Sequence, residues 1–356
     1  MRDRVENLCN TFDELGIDAM LIASPENRQY MSGFTGSNGI LFIHKQTQML
    51  VTDFRYKTQA ALQAVGYEVI VTSQFLSMFG SIKEACDKLG VKKLGFEADK
   101  MTVAWADDAQ KDLSGIELVK CPYSVDKLRQ LKSQEEINCI QRAQTITDLA
   151  YQNALPYIRR GMTEYEIATL VCGYMAKCGC KTSFNMIAAS GPNSAMPHAV
   201  ISDRVLQDGD FLTMDFGCRY NGYCSDMTRT VAIGTPSEEM VKVYNIVLEA
   251  QLKAMELIKP GVNCWDVDNA ARSHISDNGY GDFFGHGLGH SIGLANHEEP
   301  RFSTECREVL EEGICISVEP GIYLPGKFGV RIEDIVHVMA DGYQNFTTSP
   351  KELIIL

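Results

Sequence analysis

The pattern of apolar and polar positions changes once along the chain. Over roughly the first 120 residues, short apolar runs alternate with segments of helical period. "DAMLIAS" (18–24), "GILFIH" (39–44), "QMLVTD" (48–53), "YEVIVT" (67–72) and "KKLGFEAD" (92–99) read as strands, with "RYKTQAALQAVG" and "SMFGSIKEACDKLG" as helices between them. That alternation predicts an α/β domain. The segment before it, "MRDRVENLCNTFDELGI", carries Val5, Leu8, Phe12 and Leu15 at helical spacing, which predicts an amphipathic helix and not a secretory leader. Pro122 and Ser124 then punctuate the chain and a long helical pattern follows. The expected domains are therefore residues 1–124 and 125–356.

The second domain contains an internal echo. "IRRGMTEYEIATLVCGYMAKCG" begins at Ile158 and "IKPGVNCWDVDNAARSHISDNG" at Ile258, so that Gly161 matches Gly261, Tyr165 matches Trp265, Glu166 matches Asp266 and Gly179 matches Gly279. Each copy opens an amphipathic helix with a candidate N-cap, Thr163 or Asn263. Two similar α+β halves are expected, with a cleft where they meet.

Candidate chemistry lies between and after these copies. In "DFLTMDFGCRYNGYCSDMTRTVAI" (210–233), Asn221-Gly222 signals a two-residue hairpin turn. With Tyr220 opposite Tyr223, Asp215 faces Thr228 and Gly217 faces Asp226. Alternation then puts Asp215 and Asp226 on one face as diagonal neighbours, about 7–8 Å apart along the backbone. Two acids so placed repel unless something positive lies between them. A second acidic pair lies in "ICISVEPGIYLPGKFGVRIEDIVHV" (314–338): Glu319 ends one apolar strand and Glu333 sits inside another, with Arg331 as a possible salt-bridge partner. Buried carboxylates need such a partner or a metal.

Histidine completes the set. The chain has seven, and "FFGHGLGHSIGLANHEEP" (283–300) holds His286, His290 and His297. Four carboxylates carry about −4, which two divalent cations cancel and one does not. Oxygen-rich ligation with one imidazole suits Mn²⁺, Fe²⁺, Co²⁺ or Zn²⁺. Two such ions about 3.5–4 Å apart activate water and polarise a carbonyl, the chemistry of metal-assisted hydrolysis.

Composition narrows the partners. A net charge of −13 argues against nucleic acid and anionic membranes, and no apolar run approaches the roughly 18 residues that span a bilayer. The twelve cysteines are scattered without a CxxC pair; "CGC" at 178–180 is too tight for a zinc knuckle. Reduced thiols and a cytoplasmic location are expected.

Together these motifs resemble the metallopeptidases of the "pita-bread" fold, in the branch of Xaa-Pro aminopeptidase and Xaa-Pro dipeptidase. The resemblance covers essentially the whole chain: "YMSGFTGSNGILFI" (30–43) is similar to a creatinase-type N-terminal domain, and "MDFG…GYCSDMTRT", "GHGLGHSIGLANHEEP" and "VEPGIYLPG…GVRIED" to the pseudo-twofold catalytic domain. It implies that Asp215, Asp226, His290, Glu319 and Glu333 bind two divalent ions, Mn²⁺ first and Co²⁺ or Zn²⁺ as alternatives. It implies that Glu319 is general base and proton carrier, that His297 and His198 stabilise the oxyanion, that His286 lines the pocket beyond the scissile bond, and that Arg331 orients Glu333. The implied substrates are small peptides with proline in second place, and the implied assembly is a homodimer. Arg301 and Arg307, in "EEPRFSTECREVL", could grip a dipeptide's carboxylate, but that loop is Glu-rich. Aminopeptidase-like cleavage of longer Xaa-Pro peptides is therefore the expectation, with Xaa-Pro dipeptidase the alternative and a non-catalytic peptide-binding relative more distant.

Overall fold

The computed structural model describes residues 2–74 and 76–356. The chain divides into two compact units, Met1–Arg129 and Gln130–Leu356. The division falls after Arg129 and not at Ser124, because the helix Ser124–Gln130 is tied into the first unit. Asn27 Nδ2 donates to Asp126 Oδ2 at 3.0 Å, and the Tyr30 hydroxyl donates to Leu128 O at 2.9 Å.

In the first unit, β1 (Ala19–Ile22), β2 (Ile40–His44), β3 (Thr47–Thr52), β4 (Glu68–Val71), β5 (Lys93–Phe96) and β6 (Glu117–Lys120) form one sheet in the order β4-β3-β2-β1-β5-β6. β2 runs antiparallel to β1 and β3, and the remaining neighbours are parallel. The apolar runs of the sequence account for β1 to β5. They do not reveal β6, whose "ELVK" buries only partly at its two central residues, nor the helices Pro25–Ser32 and Val103–Asp112. The expected N-terminal helix is broken at Thr11 into Arg2–Asn10 and Phe12–Leu15; the Thr11 hydroxyl turns back on Leu8 O at 2.8 Å, while Leu8 and Phe12 remain buried.

The second unit carries β7 (Lys181–Thr182), β8 (Ile187–Ser190), β9 (Asp210–Phe216), β10 (Cys218–Tyr220), β11 (Tyr223–Cys224), β12 (Met227–Ile233), β13 (Gly289–Ser291), β14 (Glu298–Phe302), β15 (Cys315–Val318), β16 (Gly321–Leu324), β17 (Phe328–Arg331), β18 (Asp334–Met339) and β19 (Gly342–Asn345). They form the sheets β12-β9-β8, β11-β10-β7, β14-β13-β15-β18-β19 and β16-β17. The internal echo is a structural repeat. The helices Glu164–Lys177 and Cys264–Asp277 are capped by the side chains of Thr163 and Asn263. Gly161 and Gly261 adopt φ of 90° and 87°. Each entry is fixed by the same main-chain pair: Gly161 N to Leu206 O and Leu206 N to Met162 O in one half, Gly261 N to Leu310 O and Leu310 N to Val262 O in the other. A long helix, Gln134–Ala154 or Glu238–Met255, packs on each copy. The halves have separate cores, one built around Tyr151, Val171, Leu212 and Phe216 and the other around Tyr244, Val267, Ile316 and Val336.

The hairpin forms in the register read from the sequence. Tyr220 pairs with Tyr223, Met227 with Phe216 and Thr228 with Asp215. The turn residues Asn221 and Gly222 both have positive φ, 51° and 89°, as a twisted two-residue hairpin requires. Between β10–β11 and β9–β12 the ladder is interrupted, and a Cβ on Gly217 would come within 1.8 Å of Ser225 O. That close approach lets Asp226 turn inward beside Asp215. Gly217→Ala should therefore force the two strands apart. Overpacking of this kind costs about 1–3 kcal/mol, so a lower urea midpoint at unchanged m-value is expected; an unaltered midpoint would contradict the packing argument.

Candidate metal centre and active site

The candidate metal, catalytic and substrate residues named from the sequence line one cavity of about 610 Å³ in the second unit: His198, Asp215, Asp226, His286, His290, His297, Glu319, Arg331 and Glu333; of the two arginines considered for a carboxylate clamp, Arg301 lines it and Arg307 does not. Each half supplies its share. Asp215 comes from β9 and Asp226 from the break before β12; Glu319 directly follows β15, and Glu333 lies between β17 and β18. His290 sits on β13 at a register shift, its main-chain N–H donating to Ser317 Oγ at 3.0 Å.

The orientation of His290 limits what the site can hold. Its Nδ1 lies 3.1 Å from Ser291 O, which can only accept, so Nδ1 carries the proton. Nε2 is left facing acceptors, Glu319 Oε1 at 3.3 Å and Asp226 Oδ2 at 3.7 Å. These acceptors call for a positive centre at Nε2, which a proton or a metal ion coordinated by the ring supplies. The carboxylates make the same demand. Asp215 Oδ1, Asp226 Oδ1 and Glu333 Oε1 are buried without a hydrogen-bond partner, although buried polar atoms in folded proteins are almost always paired. Asp226, His290 and Glu333 offer ligand atoms that all lie within 4.8 Å of one another. This donor set fits a divalent metal.

The charges respond accordingly. Burial, and then repulsion from neighbouring carboxylates, raises Asp226 and Glu333 well above the ordinary carboxylate range. Burial raises Asp215 too, against the pull of Arg331. Burial also pushes Glu319 upward, but the hydrogen bond and charge of His290 outweigh it and bring Glu319 to about 2.

One expectation needs correction. Arg331 does not pair with Glu333: its Nη2 donates to Asp215 Oδ2 at 2.6 Å. The sequence reads "GVRIEDIVHV" as one strand, in which residues 331 and 333 share a face. The chain instead leaves β17 at Arg331 and enters a different sheet at Asp334. Arg331 reaches Glu333 only through Thr228, whose hydroxyl accepts from Arg331 Nε (3.1 Å) and donates to Glu333 Oε2 (2.7 Å).

The remaining histidines surround the acids. The His297 ring meets His290 edge-on with centroids 4.2 Å apart, and burial followed by the charge of His290 pulls it down to about 4. His286 bonds the Tyr323 hydroxyl through Nε2 at 2.9 Å, and Tyr323 in turn accepts from Arg331 Nη1 at 2.8 Å. Tyr323, Thr228 and Asn296, whose Nδ2 donates to Asp226 Oδ2 at 3.1 Å, escape sequence reasoning because nothing in their spacing marks them. The two glutamates after His297 have separate partners. Glu298 is buried on Lys132 at 3.2 Å and accepts from Ala295 N, fixing the loop that carries Asn296 and His297; Glu299 pairs with Arg301.

Comparison with known proteins agrees with this geometry. Residues 138–340 match Metallopeptidase family M24, and residues 4–131 match the Creatinase/Prolidase N-terminal domain. The structure superposes on an Xaa-Pro dipeptidase from Bacillus anthracis with a TM-score of 0.97 at 43% identity, covering 100% of this chain and 99% of that one. It superposes on an X-Pro aminopeptidase from Thermotoga maritima with a TM-score of 0.92 at 38% identity, covering 99% and 100%. The Xaa-Pro dipeptidase of Pyrococcus furiosus is 36% identical over 99% of this chain and 100% of its own length. The expected fold, a creatinase-type α/β domain followed by a pita-bread domain, is thus borne out. Among the described residues no helix is long and apolar enough to cross a membrane.

The electrostatics of the cavity set a stability prediction. A carboxylate whose folded pKa is raised stabilises the fold below its unfolded pKa and loses that contribution as pH rises through the folded value. Asp215, Asp226 and Glu333 act in this sense, and Glu319, lowered to about 2, acts in the opposite one. Chelator-treated protein should melt at a lower temperature at pH 8 than at pH 5.5. That decline should shrink in Glu333→Gln, and added Mn²⁺ should reverse it. An equal decline in wild type and Glu333→Gln would refute the assignment of the strain to this site.

Proposed function

The chain belongs to metallopeptidase family M24, and from that premise we propose that it hydrolyses the bond between an N-terminal residue and a following proline. The observation that carries this reading is the convergence of four carboxylates and the Nε2 of His290 on one cavity, with three carboxylate oxygens left unpaired. Asp215, Asp226, His290, Glu319 and Glu333 hold two divalent ions, Mn²⁺ in preference to Co²⁺ or Zn²⁺, since two cations offset the charge of four carboxylates and the donors are mostly oxygen. Bound there, the ions supply Lewis acidity toward the scissile carbonyl and lower the pKa of water.

The protein's own groups do the rest. Glu319 takes the proton of the attacking water and carries it to the departing proline nitrogen. His297, kept neutral near pH 7 by its depressed pKa, donates to the developing oxyanion together with His198. His286, held by Tyr323, lines the cavity that would take the proline. Proline has no amide hydrogen and a fixed φ, so a pocket shaped for its ring selects it without main-chain donors. The family resemblance further supports a homodimer working in the cytoplasm.

Peptide length turns on Arg301. Arg307, the other candidate clamp, is turned onto the Trp265 ring and the Thr304 carbonyl. Arg301 lines the catalytic cavity, and among the described residues only its Nε is engaged, by Glu299 at 3.0 Å. Its outer nitrogens are free to fork a carboxylate one residue beyond the scissile bond. This favours the dipeptidase reading over the preference for longer peptides expected from the Glu-rich loop.

Two measurements test these assignments. Asp215→Ala and Glu333→Ala should each bind fewer than two Mn²⁺ per chain by elemental analysis and lose nearly all hydrolysis; full occupancy with full activity would sink the ligand set. Wild type should cleave Ala-Pro with a higher kcat/KM than Ala-Pro-Ala, and Arg301→Ala should lose that advantage by about tenfold or more, the scale of a charge-assisted hydrogen bond. A preference for Ala-Pro-Ala that Arg301→Ala leaves untouched would restore the aminopeptidase reading.

A further inference from the structure

We propose that Glu164 is a positioning residue that sets His198 for the reaction, and that this is the task of the repeated helix in the first half. The inference rests on the reading of His198 as a substrate-contacting group. Glu164 opens the helix Glu164–Lys177 and is fully buried, with 0% exposure. No basic side chain bonds it among the described residues; the nearby Arg204 is committed to Asp210 and to Ser190 Oγ. Its oxygens instead accept donors from one loop. Oε1 takes the main-chain N–H and hydroxyl of Ser190 at 2.7 and 2.8 Å and the Asn193 amide at 3.1 Å. Oε2 takes the main-chain N–H and hydroxyl of Ser202 at 3.0 and 2.7 Å.

The carboxylate therefore clasps the two ends of the loop 190–202, and His198 lies between them, lining the cavity. The interior of the loop is anchored separately. Ser194 Oγ accepts from Gly329 N at 2.8 Å, and Pro197 O accepts from Arg331 Nη1 at 3.2 Å. A buried carboxylate is costly unless fully hydrogen-bonded, and here every donor belongs to the loop that carries the histidine. The second half does the same work with different residues. Asp268, on the helix Cys264–Asp277, accepts from Leu288 N at 3.0 Å and grips Arg272, which donates to Phe284 O and to His286 O at 2.9 and 2.7 Å. In each half of the repeat, an acid on the same helix fixes the loop bearing a cavity histidine.

Glutamine at 164 would turn an N–H₂ toward N–H and O–H donors and open one side of the clasp. Misplacing a reacting group by about 1 Å costs on the order of 10²-fold in rate. The holoenzyme carrying Glu164→Gln should therefore lose about 10- to 100-fold in kcat on Ala-Pro, while KM and bound Mn²⁺ stay within about twofold of wild type. The decisive readout is a pair of double-mutant cycles. If Glu164 acts through His198, Glu164→Gln with His198→Ala should be no slower than His198→Ala alone, within about twofold, whereas Glu164→Gln with His286→Ala should show the product of the two losses. Losses that multiply in the His198 cycle, with His198→Ala itself slow, would overturn the role of Glu164 alone. Wild-type kcat in His198→Ala would overturn the reading of His198 and this proposal with it. If Glu164→Gln fails to fold, Ser202→Ala, which removes one donor from Oε2, carries the same cycles with a smaller expected loss.

Discussion

Like-charge crowding is the constraint on which the second unit depends. Four carboxylates share one cavity with a histidine whose Nε2 faces two of them, and the arginine among them, Arg331, neutralises Asp215. Coulomb repulsion between buried acids this close is far larger than any single packing term that could oppose it. That repulsion is relieved by protonating the acids or by placing cations among them. The surrounding fold has to supply the rigidity that keeps the acids together. It does so with strands and buried hydroxyls: Ser317 fixes both His290 N and Glu319 Oε1, and Thr228 links Arg331 to Glu333.

The repeat explains how such a site can be built from ordinary elements. Each half contributes acids from the ends of its own sheet, where the ladder stops and a side chain can turn inward. Asp226 sits in the break between β11 and β12, made possible by the missing Cβ at Gly217, and Glu333 in the break between β17 and β18. The two halves keep separate apolar cores, so each holds its ligands against its own packing.

What the sequence disclosed follows from this division. The hairpin register was legible because Asn221-Gly222 admits only one two-residue turn, and that turn fixes every pairing back to Asp215. The repeat was legible because its glycines and N-caps recur at a constant interval. The metal reading came from the types of residue, which need not be adjacent for their chemistry to be recognised. Arg331 was misread because "GVRIEDIVHV" has uninterrupted strand periodicity, and a change of sheet at Ile332 leaves no mark in it. Glu164, Glu298 and Asp268 are illegible for a related reason: a buried acid that organises a loop looks, in sequence, like any charged residue of a helix or strand. The weakly apolar β6 was missed because its end residues face solvent.

Arg331 shows how these parts become one machine. Its guanidinium spreads its donors over Asp215, Tyr323, Pro197 O and Thr228. Asp215 is in the proposed ligand set, Pro197 is next to His198, Tyr323 holds His286, and Thr228 leads to Glu333. One planar cation with fixed donor directions thereby ties acids of both halves to both histidine loops. Lysine could neutralise Asp215 but could not hold four partners in set directions. Because the same group that balances the charge also locates the histidine loops, the proposed metal and substrate geometries cannot drift independently. That coupling gives a physical reason for the buried charge: an apolar replacement would relieve the desolvation cost and lose the register between the two shells.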